Sequence, residues 1–225
     1  MRPCNEIAIC GVGLAADCDG ALYWPDERLL VVADLHLEKG SSCAGRGVLL
    51  PPYDTAATLS CLGGLVLRYA PRMVIALGDS FHDNDGPARM DASDRATLHM
   101  LQRGRDWIWI TGNHDCEPAP GIGGSLGGAL ALGPLVFRHE PTGLDNEIAG
   151  HLHPLARVSK GGRTVSRRCF ASDGQRIVMP ALGAYCGGLN VRHPAFTKVF
   201  GGRAFTAHVL GARRLYAIAI SRCAA

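Results

Sequence analysis

The run Arg28-Leu29-Leu30-Val31-Val32-Ala33-Asp34-Leu35-His36 is apolar until it stops at an acid, and two later stretches are built alike. Met73–Leu77 stops at Gly78-Asp79, and residues 106–111 stop at Gly112-Asn113. A short apolar run with β-branched residues such as Val31 and Val32 reads as a strand buried on both faces. Helical stretches follow the polar loops: residues 51–69, opened by Pro51-Pro52 but carrying Gly63-Gly64, and residues 87–103. Strand, polar loop and helix in repetition predict an α/β fold. In such sheets the polar residues at the carboxyl ends of the strands are where sites are kept.

Outward from this centre, residues 6–10 and 21–24 read as short strands with turns between. From Gly128 onward the texture changes to short strands and glycine turns. Gly161-Gly162 reads as a hairpin turn between strands at 155–159 and 163–170, and residues 213–220 as a closing strand. No repeat, long linker or low-complexity block divides the sequence. One domain over residues 1–225 is expected, long enough to bury a substantial core.

A hydrophobic fraction of 47% with 19% charged residues belongs to a folded globular chain, not a disordered one. No apolar run approaches the roughly 18–20 residues that cross a bilayer. The opening Met1-Arg2-Pro3-Cys4-Asn5-Glu6 lacks a signal-peptide layout, so the cytoplasm is expected and no membrane partner. Nine cysteines are scattered without a Cys-x-x-Cys pair, which argues against a zinc ribbon or redox motif and for reduced, mostly buried thiols.

The net charge of +3 hides an asymmetry. After Pro154 stand twelve basic residues (Arg157, Lys160, Arg163, Arg167, Arg168, Arg176, Arg192, Lys198, Arg203, Arg213, Arg214, Arg222) against one acid, Asp173. A basic third suits a polyanionic partner. It is equally the pattern of a solvated arginine-rich surface, because sequence does not show whether the charges share a face.

The polar residues at the strand ends come in a fixed order. Asp34-Leu35-His36 is followed by Gly78-Asp79-Ser80-Phe81-His82-Asp83 and by Gly112-Asn113-His114-Asp115. Then come His139 in Arg138-His139-Glu140-Pro141, and Gly150-His151-Leu152-His153-Pro154. One Asp-x-His is weak evidence, since short motifs recur by chance. Five such elements in order, three of them at strand ends, point to a metal centre. Mixed imidazole and carboxylate ligands suit Mn, Fe or Zn and not Ca or a structural Mg site. On an extended segment residues i and i+2 point the same way, which puts Asp34 and His36 on one ion. The same geometry gives no reason to separate His151 from His153.

This order resembles the calcineurin-like metallophosphoesterase superfamily, over residues 34–154. The resemblance implies Asp34, His36 and His153 on a first ion, Asn113, His139 and His151 on a second, and Asp79 bridging both. It implies two β-sheets packed face to face with helices outside, a four-layer αββα sandwich. It implies a phosphoesterase in which a metal-bridging hydroxide attacks phosphorus in line. Two cations about 3.5–4 Å apart lower the pKa of a shared water and clamp the phosphoryl oxygens. His114 is implied as the acid that protonates the leaving oxygen; from its position alone it could equally orient a ligand. Many relatives carry Asp three residues after the bridging acid to orient that histidine. Here the position is His82, which leaves Asp83 or Asp115 for the task.

More of the chain resembles one branch, the bacterial ligase-associated DNA-damage-response phosphoesterases. The carrying residues are 78–83, 111–115 and 147–154, then Arg167-Arg168-Cys169-Phe170, Pro180-Ala181-Leu182-Gly183-Ala184-Tyr185 and Gly187-Gly188-Leu189-Asn190-Val191. In that light His82 is a feature of the branch. The branch implies a phosphodiesterase, most readily a DNA endonuclease in repair, using Mn(2+) and associated with an ATP-dependent DNA ligase and a helicase. Arg167 and Arg168 follow the ligand loop closely enough to reach a substrate phosphate, Arg168 being the candidate substrate-binding residue. One exposed and one packed hairpin residue is the plain alternative. Gly187-Gly188 with Asn190 could bring backbone near the ions, but reads first as a turn. The apolar, glycine-rich stretch 180–191 could pack against a second copy, giving a homo-oligomer.

Two other functions fit the same residues. One is a phosphoesterase acting on a small phosphodiester or a phosphoprotein, with the same chemistry and different pocket walls. The other is a non-catalytic scaffold of the same fold, which typically lacks ligands, whereas none is missing here.

Overall fold

The computed structural model describes residues 5–114 and 121–225, and two sheets face each other across its centre. The first runs in chain order through β1 (Asn5–Ile9), β2 (Val12–Ala16), β3 (Leu22–Trp24), β4 (Leu29–Val32), β5 (Met73–Leu77), β6 (Asp106–Ile110) and β7 (Ser125–Gly127). Hairpins pair β1 to β4 antiparallel, whereas β4 to β7 are parallel, with helices in the β4–β5 and β5–β6 crossovers.

The second sheet holds β8 (Ala129–Leu132), β9 (Leu135–Arg138), β10 (Glu147–Ala149), β11 (Pro154–Lys160), β12 (Arg163–Ser172), β13 (Ile177–Val178), β14 (Leu189–Asn190), β15 (Thr206–Leu210) and β16 (Leu215–Ala219). Its main path is β14-β11-β12-β13-β10-β9-β8, and β15 and β16 extend it from β12. The helices are α1 (Lys39–Gly45), α2 (Asp54–Tyr69), α3 (Gly86–Arg89), α4 (Ala92–Gln102) and α5 (Pro194–Val199).

Alternation along the central strands explains why they read as unbroken apolar runs. Leu29 and Val31, Ile75 and Leu77, and Ile110 face the second sheet, where they meet Phe137, Ile148, Phe170 and Ile177. Their neighbours Leu30, Val32, Val74, Ala76, Trp107 and Trp109 face outward onto Leu59, Leu62 and Leu65 of α2 and Leu98 of α4. Successive strand side chains point to opposite faces, so a strand covered on both sides has no polar position to spare. Outside the second sheet, Ala156, Cys169, Ala171 and Val178 pack on Phe196 and Val199 of α5 and on Phe200. The layers are helix, sheet, sheet, helix, as the resemblance implies.

Two helical expectations are corrected. Pro51-Pro52 precede the helix, which begins only at Asp54. The stretch 87–103 is two helices, because Asp91 is extended and its carboxylate accepts from the Ser93 and Asp94 amides, starting α4 afresh. Such a cap satisfies amides that a helix start leaves open. Gly161 and Gly162 form the expected two-residue turn, both with positive φ, between the paired residues Lys160 and Arg163. No helix is long and apolar enough to cross a membrane among the described residues. Seven described cysteines are all free thiols.

The stretch 180–191 is bonded in part to the first ligand loop of its own chain, with Ala184, Gly187 and Gly188 exposed. The Leu182 and Gly183 amides donate to the Ala33 and Asp34 carbonyls at 2.9 and 3.1 Å, and the Leu182 side chain is buried. A Cβ at Gly188 would lie 2.3 Å from the His153 carbonyl oxygen, so close approach, and not turn formation, is what requires glycine there.

Candidate metal centre

The carboxyl ends of five parallel-paired strands converge between the sheets. Asp34 and His36 follow β4, Asp79 follows β5, Asn113 follows β6, His139 follows β9, and His151 and His153 lie between β10 and β11. Backbone bonds lock these loops together. The His36 and Leu37 amides donate to the Asp79 and Ser80 carbonyls, both at 2.9 Å, and the Gly150 amide donates to the His139 carbonyl at 3.0 Å. The His151 amide reaches Asp34 Oδ2 at 3.0 Å, and the His114 amide reaches Asp79 Oδ1 at 3.0 Å.

Asp34 and His36 do share a face, but not for the reason the extended-segment argument supplies. Asp34, His36, Asp79, His151 and His153 all have positive φ, between 43° and 69°. The ligand loops are left-handed kinks, a conformation in which Asp, Asn and His are enriched among non-glycine residues. Such backbone costs on the order of 1–3 kcal/mol per residue and persists only where surrounding structure fixes it. Gly78 also has positive φ, and a Cβ on it would lie 2.5 Å from the His139 ring. At Gly150 a Cβ would lie 2.6 Å from Asp34 Oδ2. The glycines of the Gly-Asp and Gly-His elements are therefore the clearance for a carboxylate and an imidazole.

The seven side chains expected as ligands come together in one cluster. His36 Nε2 and His153 Nε2 are 3.4 Å apart, and His153 Nε2 is 3.3 Å from Asp34 Oδ1. On the other side, Asn113 Oδ1 lies 2.9 Å from His139 Nε2 and 3.1 Å from His151 Nδ1. Asp79 stands between, with Oδ1 3.4 Å from His139 Nε2 and Oδ2 3.8 Å from His36 Nε2. Nitrogen and oxygen ligands about 2.1 Å from a cation sit roughly 3 Å from one another, which is the spacing observed. Among the described residues, Asp34, His36 and Asp79 form one potential metal-holding group and Asp79, His139 and His151 another. The donor set fits two divalent cations.

The electrostatics suit that use. Burial, reinforced by the neighbouring His153, His114 and His82, pushes His36 down to about 2, so its imidazole stays neutral with a lone pair to give. Burial and His139 also lower His151. Burial pulls His153 down as well, but the Asp34 carboxylate, the Gly187 backbone and Asp79 together outweigh it and the net shift is upward. His139 Nδ1 donates to the Leu77 carbonyl at 2.9 Å, which leaves Nε2 as the atom that faces Asp79 and Asn113.

His114 has a different partner from either carboxylate considered. Its Nδ1 donates to the backbone carbonyl of His82 at 2.9 Å, and its ring stacks on the His82 ring with centroids 5.3 Å apart. Asp83 is engaged by Arg89 at 2.7 and 2.9 Å, and Asp115 lies outside the described residues. The backbone thus fixes the ring, and Nε2 is left toward the centre, 4.0 Å from Asp79 Oδ2. Beyond it opens a cleft of about 380 Å³ between His114, His82, Arg46, Arg89 and Ser41. Arg46 donates to His82 Nε2 at 3.1 Å. Nothing in the local sequence marked Arg46, since no motif surrounds it.

Arg168 holds structure in the contacts seen: its Nη1 donates to the Ala181 carbonyl at 2.7 Å. Arg167 is exposed on the β11–β12 hairpin. Of the basic third, Arg176 is buried against Asp145 and Asp173 and Arg203 pairs with Asp145 at 3.6 Å, whereas Arg157, Arg163 and Arg167 are exposed on the hairpin that leaves the centre after His153.

Comparison with known proteins follows the same lines. A family model described as calcineurin-like phosphoesterase matches residues 27–170. The crystal structure of Pseudomonas putida nuclease MPE is similar at 26% identity and a TM-score of 0.73, covering 96% of this chain and 100% of that one. Yfce, a phosphoesterase from E. coli, matches at 16% identity and a TM-score of 0.41, covering 85% of this chain and 98% of that one. No curated protein sequence matches.

Proposed function

The chain belongs to the calcineurin-like phosphoesterase family, and from that premise we propose that it is a dinuclear phosphodiesterase that cleaves DNA internally, using Mn(2+). The observation that carries the dinuclear part is the Asp79 carboxylate, whose two oxygens face different ligand groups, His139 on one side and His36 on the other. When bound, two such cations supply an activated water and charge to match a phosphoryl group. Asp34, His36 and His153 would hold one, Asn113, His139 and His151 the other, with Asp79 shared.

The chain's own groups do the rest. The His114 ring is fixed by the His82 carbonyl and keeps Nε2 free, so a proton held at Nε2 can pass to the leaving oxygen. The loops exclude side-chain drift at the ligands through the backbone bonds described above. Arg46 lines the adjoining cleft and offers positive charge to a flanking phosphate, while Arg89 on the same cleft is paired with Asp83.

DNA as substrate rests on the similarity to the P. putida nuclease over nearly the whole chain, together with the exposed arginines of the β11–β12 hairpin beginning beside His153. A repair setting beside an ATP-dependent ligase and a helicase rests on the branch resemblance alone. The test is Mn-dependent cleavage of single-stranded and nicked DNA, bis-p-nitrophenyl phosphate, cyclic nucleotides and a phosphopeptide. Internal cleavage of the DNA strands by the wild-type chain, with Asp79→Ala inactive, is expected. Hydrolysis of small diesters with DNA untouched would remove the nuclease. No hydrolysis under any divalent ion would leave a binding scaffold.

A further inference from the structure

Cys186 was one of nine scattered cysteines in the sequence, yet its Sγ lies beside the first ion position. Sγ and the ring nitrogens of His36 and His153 all fall within 4.8 Å of one another. Its sulfur also lies 3.6 Å from the Asp34 carbonyl oxygen. We propose that Cys186 is an additional ligand of the first ion, beside Asp34, His36 and His153, and that its sulfur turns that position toward a thiophilic divalent ion such as zinc or iron. This rests on the dinuclear reading above.

The placement is built into the fold. The segment bearing Cys186 is bonded to the first ligand loop through the Leu182 and Gly183 amides, and the Cys186 amide closes a turn onto the Gly183 carbonyl at 3.3 Å. At Gly183 a Cβ would come 2.4 Å from the Leu35 carbonyl oxygen and 2.6 Å from Cys186 Sγ itself. At Gly188 a Cβ would strike the carbonyl of the ligand His153. The chain on both sides of Cys186 is thus pressed against the two loops that carry the first ion's ligands. Cys186 is a free thiol, so no disulfide accounts for this position.

The chemistry distinguishes the two ion positions. Asp79, Asn113, His139 and His151 offer only nitrogen and oxygen, which suit manganese. A thiolate added to Asp34, His36 and His153 favours a softer ion at the other position. Coordination converts the thiol to a thiolate, and its proton passes to solvent.

The experiment is reconstitution of the full chain with cobalt(II), followed by absorption spectroscopy of wild type and Cys186→Ser. Expected is a near-ultraviolet sulfur-to-cobalt charge-transfer band in wild type that is lost in Cys186→Ser while the visible d–d bands remain. A second measurement needs no variant: X-ray absorption of the zinc-loaded wild type should show a sulfur scatterer at about 2.3 Å. Visible d–d bands in both proteins with an unchanged or absent charge-transfer band, or a zinc shell of nitrogen and oxygen alone, overturns the Cys186 ligand and leaves the dinuclear reading standing. Failure of the wild-type chain to bind cobalt or zinc overturns the dinuclear reading, and the cysteine ligand with it.

Discussion

The two proposed ion positions share an imidazole-rich character but sit in different surroundings. In the first set the Asp34 side chain is 0% exposed, His36 6% and His153 18%. In the second, His139 is 4% exposed, but His151 is 33% exposed and Asn113 lies at the surface. The acid candidate His114, at 39%, stands at the open side together with the arginine-lined cleft. The first half is closed in by the segment 180–188, and the second opens where a phosphate could enter. The proposed ligands are thus divided into an anchoring half and a working half by what covers them, as well as by the sulfur proposed for the first.

The sharpest test of that division removes the residue common to both halves. Asp79→Ala should lose both ions and reduce DNA cleavage to assay background, read by metal analysis alongside turnover; retention of one tightly held ion would show that the halves do not share the carboxylate. His114→Ala should keep both ions and lose about 10²–10⁴-fold in rate on DNA, with a smaller loss on a p-nitrophenyl ester, whose leaving group needs no proton. Next come two substitutions aimed at opposite halves. Gly150→Ala drives a methyl group into Asp34 and should weaken the first ion about 10–100-fold, and Asn113→Ala should weaken only the second by a similar factor. If calorimetric titration shows both ions weakened equally by either change, the halves are one unit and the comparison breaks.

The smallest effect is expected away from the centre. Burial alone would raise the Asp17 carboxyl, but the Asp19 amide, the Tyr69 hydroxyl and Arg68 together hold it below the usual carboxylate range. A depressed folded-state pKa contributes stability that is complete above the unfolded value, about 3.9, and disappears as pH falls through the folded one. Asp17→Asn should therefore lower the melting temperature at pH 6 and converge with wild type at about pH 2. Ion content at pH 6 should be unchanged, because Asp17 ties the end of β2 to α2 and touches no ligand. A parallel loss of ions would mean that the centre and the scaffold melt together.

The central strands were legible because two-sided burial leaves an unmistakable apolar run, as in Leu29–Val32 and Met73–Leu77. The seven candidate ligands were legible because five short motifs stand in order, three of them at the ends of such runs, and the family resemblance singles out their Asp, Asn and His residues. What escaped depended on individual polar contacts, some local and some distant along the chain. The break at Asp91 follows from one side chain bonding two amides, which apolar periodicity does not register. The orientation of His114 escaped because a backbone carbonyl carries no residue-type signal. Cys186 escaped because its neighbours His36 and His153 are 150 and 33 residues away in the sequence.

The kinked ligand loops limit which side chains an engineer or a drifting lineage can place at these positions. Exchanging Asp34 or Asp79 for Glu would preserve charge, yet the longer acid is less at home at positive φ and overshoots a carboxylate wedged beside a glycine. Valine or isoleucine would be excluded by the main chain before any question of coordination arose. At these five sites the vocabulary of tolerated residues is set twice over, once by the cation and once by the handedness of the chain.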